Sequence, residues 1–262
     1  MPQAAKSLLV LSGGHPYEAG PFGDLLASLS DFGGGWEITH LVHPEGGEAD
    51  AADAICGADG LLLYDMAGYA FADGGVTTCA PSPAFREAFA ARFASGKGAV
   101  AMHHALAGWA EWPEWHDWLG GQFHYQPGAH GLDSGYRHDV SYTARLVADH
   151  PVLAGVPASF AVTDELYLCP INEAAITPLI RAEGFAFTAG NFYSAAQAVA
   201  GRMFSREGWD HPPGSTCVAW ESRTCPAPLV YLQFGDGPAT YANPHVRRLI
   251  AQALDYTQGG TA

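Results

Sequence analysis

In the first hundred positions, short apolar runs alternate with stretches in which apolar residues return every three or four places. Ser7–Leu11, Trp36–Val42, Gly60–Tyr64 and Gly98–Met102 predict four strands. Phe22–Leu29, Ala49–Ile55 and Pro83–Ala94 predict helices between them, the last with Phe85, Phe89 and Phe93 four residues apart. Strands that are apolar throughout are covered on both faces, and strands joined through helices run parallel. The pattern therefore predicts an α/β fold with a mostly parallel sheet and helices on both faces.

The second half is less regular. Trp109–Leu119 predicts a Trp-rich helix, and Arg137–Val147 alternates like an exposed or mixed-sheet strand. Thr216–Glu221 and Leu229–Phe234 predict strands and Pro244–Tyr256 a closing helix. Gly184–Gly214 reads as a long insertion rich in glycine and aromatics, and loops of that length in a compact domain are usually lids or binding loops. With no repeat and no linker, residues 1–262 read as one domain.

Composition narrows the partners. Apolar residues make up 48% of the 262, enough for a large core. Twelve Lys and Arg against 27 Asp and Glu give a net charge of −15, with no basic cluster. Nucleic acid and anionic membrane surfaces are thereby disfavoured, and a neutral substrate fits better. Five cysteines without a CxxC pair read as reduced thiols of a cytoplasmic protein. The N-terminal apolar run reads as a first strand rather than a signal peptide.

Ligands of parallel α/β sheets sit at the carboxyl ends of the strands. Those ends carry Gly13-Gly14-His15, Asp65-Met66-Ala67-Gly68 and His103-His104. If the histidine pair continues the strand, the two rings face opposite ways and do different work, with one turned to the cleft. Downstream, His124, His130 and His138 are interleaved with Gln122, Tyr125, Asp133 and Tyr136, dense enough for proton transfer or metal ligation but matching no zinc signature. Asp164 and Glu165, beside Tyr167, would face opposite ways on a strand, one in a site and the other a solvated charge. The tryptophans from Trp109 to Trp118 read mostly as core, with one available as a sugar platform.

Several segments resemble, in order, the ThuA-like (trehalose-utilisation) family: His103-His104-Ala-Leu-Ala-Gly-Trp109, Leu119-Gly-Gly-Gln-Phe123, His150-Pro151, Asp164-Glu165-Leu-Tyr167, Tyr231-Leu-Gln-Phe-Gly235-Asp-Gly-Pro-Ala-Thr-Tyr241 and Asn243-Pro244. The resemblance spans nearly the whole chain. It implies a flavodoxin-like, glutamine-amidotransferase-like fold and a role with trehalose-related or 3-keto sugars. His103 stands where true amidotransferases carry their nucleophilic Cys, so thiolate chemistry on glutamine is not expected. Many relatives have Gly-His where this chain has Gly235-Asp236.

The reading is a sugar-active hydrolase, lyase or isomerase using His and carboxylate acid–base chemistry, with metal assistance open. Its catalytic candidates are His103 as base, Glu165 as partner, His104 and His124. His15, Trp109, Tyr125, Tyr167 and Asp236 are candidates to bind the sugar, and His103, His130 and His138 to hold a divalent metal such as zinc. A homo-oligomer and a functional link to a sugar dehydrogenase are open. The alternative is a non-catalytic sugar-binding or regulatory protein on the same fold.

Overall fold

The computed structural model describes residues 5–32, 35–43, 48–128 and 131–259. In chain order the elements are β1 (Lys6–Gly13), α1 (Ala19–Ser28), β2 (Trp36–Val42), α2 (Glu48–Gly57), β3 (Gly60–Asp65), β4 (Tyr69–Ala72), β5 (Gly75–Thr78), α3 (Pro83–Ala94), β6 (Ala99–Met102) and α4 (Pro113–Leu119). There follow β7 (Gly135–Leu146), β8 (Ser159–Leu168), β9 (Ile176–Glu183), β10 (Tyr193–Ser194), α5 (Ala195–Val199), β11 (Cys217–Ser222), β12 (Leu229–Leu232), α6 (Pro238–Tyr241) and α7 (Pro244–Thr257).

Five strands form the parallel half of the sheet in the order β2-β1-β3-β6-β12. Counted along the chain this is 2-1-3-4-5, the flavodoxin-like order, whose ligand crevice lies at the switch between the first and third strands. Beyond β12 the sheet continues antiparallel through β11, β9 and β7, with β8 and β10 paired to β7. The continuous apolar runs do what two-sided burial requires. Leu8 and Val10 face one core layer with Phe22 and Leu25 of α1 and Leu249 of α7. Leu9 and Leu11 face the other, with Ile55 of α2 and Phe85 and Phe89 of α3.

The strands expected in the first half are present, and α3 and α7 are capped as their sequences suggest. Ser82 accepts from the Phe85 amide ahead of Pro83, and Asn243 from the His245 amide ahead of Pro244. Two features differ from expectation. The Trp-rich helix begins only at Pro113, because Trp109 has φ 56° and cannot sit in a right-handed helix. Residues 69–78 form the β4–β5 hairpin, which was not among the expected elements although Tyr69-Ala-Phe-Ala72 is an apolar run closed by Asp73-Gly74.

Arg92 anchors the parallel half. Its buried guanidinium donates to the carbonyls of Gly98, Ile55, Ala58 and Asp59, tying α3 to the approaches of β6 and β3. Arg92→Met would take the guanidinium from all four carbonyls, of which Ala58 alone, among the described residues, keeps a second side-chain donor, Lys97, at a cost of about 3 kcal/mol. Urea denaturation should show that loss; a variant within about 0.5 kcal/mol of wild type would mean water replaces the guanidinium.

Candidate functional site

At the end of β6 the chain turns sharply. His103 takes φ 43°, and residues 103–106 form a single 3₁₀ turn. A strand ending in a left-handed residue is the geometry of a nucleophile elbow. Here it carries an imidazole, and none of the cysteines lines the adjoining cavity. The turn tucks the His103 ring inward, where it is fully buried. Its Nδ1 lies 2.6 Å from the Gln233 carbonyl, which can only accept, so Nδ1 carries a proton. Its Nε2 lies 3.1 Å from Glu165 Oε2 and 2.8 Å from the Tyr167 hydroxyl.

Glu165 and Tyr167 are two residues apart on β8 and so share a face. Asp164 points the other way, yet it is buried rather than solvated. Its two oxygens accept the amides of Gly235 and Asp236, at 2.9 and 3.0 Å, and hold that loop against the site. Burial pushes the Asp164 carboxyl up to about 6. Asp236 reaches within 3.9 Å of His103 Nε2. His138 reaches the same group because β7 is irregular between Arg137 and Val140, with Asp139 at φ 55°. His138 Nδ1 lies 3.4 Å from both Glu165 Oε1 and Asp236 Oδ2, and the Asp236 contact raises its pKa.

His104 does not face away from His103, because the pair lies on a turn rather than a strand. The two rings meet edge to face at 4.5 Å, and His15 packs on His104 at 4.0 Å. His15 is brought in by Gly13 and Gly14, both at positive φ; a Cβ on Gly14 would lie 2.1 Å from the Met66 carbonyl oxygen. His104 is 2% exposed, and neither ring nitrogen has a hydrogen-bond partner among the described residues. Burial, with His103 beside it, drives its pKa well down and keeps the ring neutral. Donor atoms of His103, His104, Glu165 and Asp236 all lie within 4.8 Å of one another.

A cavity of about 260 Å³ opens onto this cluster. His15, His138, Glu165 and Tyr167 form its polar floor, and Phe71, Phe123, Tyr125, Tyr136 and Met203 are among its apolar walls. Part of the expected 184–214 insertion contributes: Ala195, Ala198 and Val199 of α5, then Met203, line the cavity. Asp133 fixes α5 by accepting from the Ser194 hydroxyl and the Ala196 amide.

The site thus gathers His15, His103, His104, His138, Glu165, Tyr167 and Asp236, with Tyr125 on its wall. Three candidates fall elsewhere. Trp109 is buried against His43 and Phe85, so its ring packs the core and is closed to a sugar. His124 lines a separate groove of about 870 Å³ that meets the cavity only at Tyr125. His130 lies outside the described residues. Asp164 and the hairpin residue Phe71 were not singled out as site residues. The Asp164–Glu165 pair was marked in the sequence, but as one site residue and one solvated charge; Asp164 acts through backbone amides, and Phe71 arrives by tertiary packing.

Fold and site define an α/β chain of flavodoxin-like strand order whose strand-end elbow presents a histidine. The profile of the ThuA family, described as trehalose utilisation, matches residues 74–257, and the chain belongs to that family. Its fold is shared with a ThuA-like protein from Parabacteroides merdae ATCC 43184, at 12% identity and TM-score 0.68, covering 97% of this chain and 90% of that one. A ThuA-like protein from Bacteroides uniformis ATCC 8492 matches at 16% identity and TM-score 0.64, covering 97% and 93%. A β-galactosidase from Rahnella sp. R3 matches over 96% of this chain and 31% of its own, at 10% identity and TM-score 0.52. Among curated proteins, none matches in sequence. No helix among the described residues is long and apolar enough to cross a membrane.

The cluster predicts a pH signature. Burial alone would lower the His103 pKa, but Glu165, with Asp164 and Asp236, overrides it and raises the value to about 9, from 6.5. The folded chain then holds this proton more tightly than the unfolded chain. The resulting stability is complete below pH 6.5 and is lost as pH rises through about 9. His103→Gln removes it. With chelator present, the gap in urea midpoint between wild type and variant should narrow from about pH 6.5 to about pH 9.5. A constant gap would show that the folded and unfolded imidazoles titrate alike.

Proposed function

We propose that the protein is an enzyme acting on a sugar or 3-keto sugar by acid–base chemistry at the floor of the 260 Å³ cavity. One observation carries this reading. Glu165 and Tyr167 face the cavity while their polar ends meet the fully buried Nε2 of His103. A site built only to hold a neutral sugar has little need of a buried imidazole charged against carboxylates. The family's tie to trehalose utilisation and the aromatic walls supply the substrate class.

The roles follow from access. His103 lies behind Glu165 and Tyr167, so it acts through them rather than as the base itself. Glu165 is the group placed to take a proton from a carbon next to a ketone. Burial keeps the Tyr167 hydroxyl protonated, so it can donate to the ketone oxygen as negative charge develops there. His138, on the cavity floor and within reach of both Glu165 and Asp236, is placed to return a proton. Enolisation, and elimination of a group one carbon further on, both proceed from that step.

The test is a panel of 3-keto-glycosides with product analysis by mass spectrometry. Glu165→Gln and His103→Gln should each lower kcat by about 10²–10⁴-fold. Tyr125→Phe and Met203→Ala, on the walls, should move KM more than kcat. Stoichiometric binding of a sugar without turnover of any panel member would favour a sugar-binding protein instead.

A further inference from the structure

The His103–His104–Glu165–Asp236 cluster has a feature that acid–base chemistry leaves unused. His104 is almost fully buried, and both of its ring nitrogens lack a partner among the described residues. A buried imidazole without hydrogen bonds is costly, and nothing in the proposed proton transfers calls for it. One of its nitrogens belongs to the set of four donor atoms that lie within 4.8 Å of one another. We propose that this set, two imidazole nitrogens and two carboxylate oxygens, is a binding site for a divalent transition-metal ion, zinc being the first choice.

Three observations support it independently of any titration. The first is the donor mixture: imidazole with carboxylate suits zinc and its neighbours, whereas calcium and magnesium prefer oxygen alone. The second is the orientation of His103. Its Nδ1–H donates to the Gln233 carbonyl, as metal-ligating histidines commonly donate their distal N–H to a backbone carbonyl, and Nε2 is left facing the cluster. The third is how the Asp236 carboxylate is placed. Asp164 fixes its backbone from one side, while its side chain is a quarter exposed and held only by a long 3.4 Å contact to His138, itself partly exposed. Donors around a tetrahedral zinc stand about 3.4 Å apart, so the set must draw in by roughly an ångström, and Asp236 is the member able to move.

The site refines the sequence expectation of a metal on His103, His130 and His138. It keeps His103 and replaces the other two by His104 and the carboxylates, leaving His138 on the cavity floor. It deepens the proposed function and rests on that reading only for its use: the ion would replace the His103 Nε2 proton as the positive charge against Glu165 Oε2, leaving Oε1, the oxygen turned to His138, as the base at the cavity floor where a sugar oxygen would arrive.

The experiment uses the full chain, purified with any histidine tag removed, stripped with EDTA and titrated with ZnCl₂ by calorimetry. The expected result is one saturable equivalent. His104→Phe keeps an aromatic ring packed between His15, Tyr64 and His103 and, because the imidazole nitrogens make no hydrogen bonds among the described residues, should leave the thermal midpoint of the stripped protein unchanged or higher. It should weaken zinc binding by at least about 100-fold. Asp236→Asn, a partly exposed and nearly isosteric change, is the second variant and should weaken binding in the same direction. Absence of saturable zinc binding, or wild-type affinity in both variants, overturns the proposal. So does a Co²⁺ complex with the strong near-ultraviolet band of thiolate ligation, which would place the ion on a cysteine. The two readings fail separately. Zinc bound as expected with no keto sugar turned over removes the enzyme reading alone. Full turnover by stripped protein that binds no zinc removes the metal site alone.

Discussion

The site depends on one residue held in a left-handed backbone conformation. His103, at φ 43°, carries a strain of order 1 kcal/mol that an L-residue with a Cβ does not accept without support. Support comes from the region of β12. Tyr231 donates to the His103 carbonyl at 2.9 Å, and the ring itself donates to Gln233 at 2.6 Å. Gly235 then passes so close that a Cβ there would stand 3.2 Å from His103 Cβ and 3.3 Å from the Tyr64 ring. Its φ of 143° also suits glycine alone. The elbow and the Gly235–Asp236 loop are thus shaped around each other. An extended His103 would send the ring elsewhere and leave Glu165 and Tyr167 without their common partner.

Burying several ionisable groups together is unfavourable unless their charges are matched. Asp164, Glu165 and Asp236 bring negative charge, and His103 and His138 answer it. Asp164 is further satisfied by two backbone amides, and His104 stays neutral. These groups come from β6, β7, β8 and the loop after β12, so the balance exists only once the parallel and antiparallel halves of the sheet have joined. The cluster is an electrostatic unit in which altering one member shifts the proton affinity of the others.

The cavity above is assembled from pieces with little claim to structure of their own. The β4–β5 hairpin leaves Phe71 46% exposed, and the segment after α5 leaves Met203 52% exposed. Both lie at the cavity, and Gly74 at the hairpin tip approaches the backbone of Ala200 to within the reach of a Cβ. Apolar side chains left half in water around a polar floor are the mixture that small-molecule sites combine.

The parallel half of the fold was legible in the sequence because two-sided burial demands unbroken apolar runs, and β1, β3 and β6 supply them. The same logic, through the rule that ligands meet the strand ends, brought out His15 and His103. The paired carboxylates beside a tyrosine brought out Glu165 and Tyr167, and the motifs resembling the ThuA-like family brought out Asp236. Other features needed the tertiary structure. The facing of His104 depended on whether residue 103 continues the strand or turns, a matter settled by contacts with Tyr231 and Gln233 more than 120 residues away. Trp109 and His124 carry the right chemistry for a site, but the first packs into the core and the second lines another groove. Asp164 looked like a surface charge because a strand's two faces are distinguishable in sequence only when one meets water. Here a loop from the far end of the chain covers the second face. Local pattern fixes which residues are apolar and how elements begin and end; which polar groups converge is decided by long-range packing, which no local period encodes.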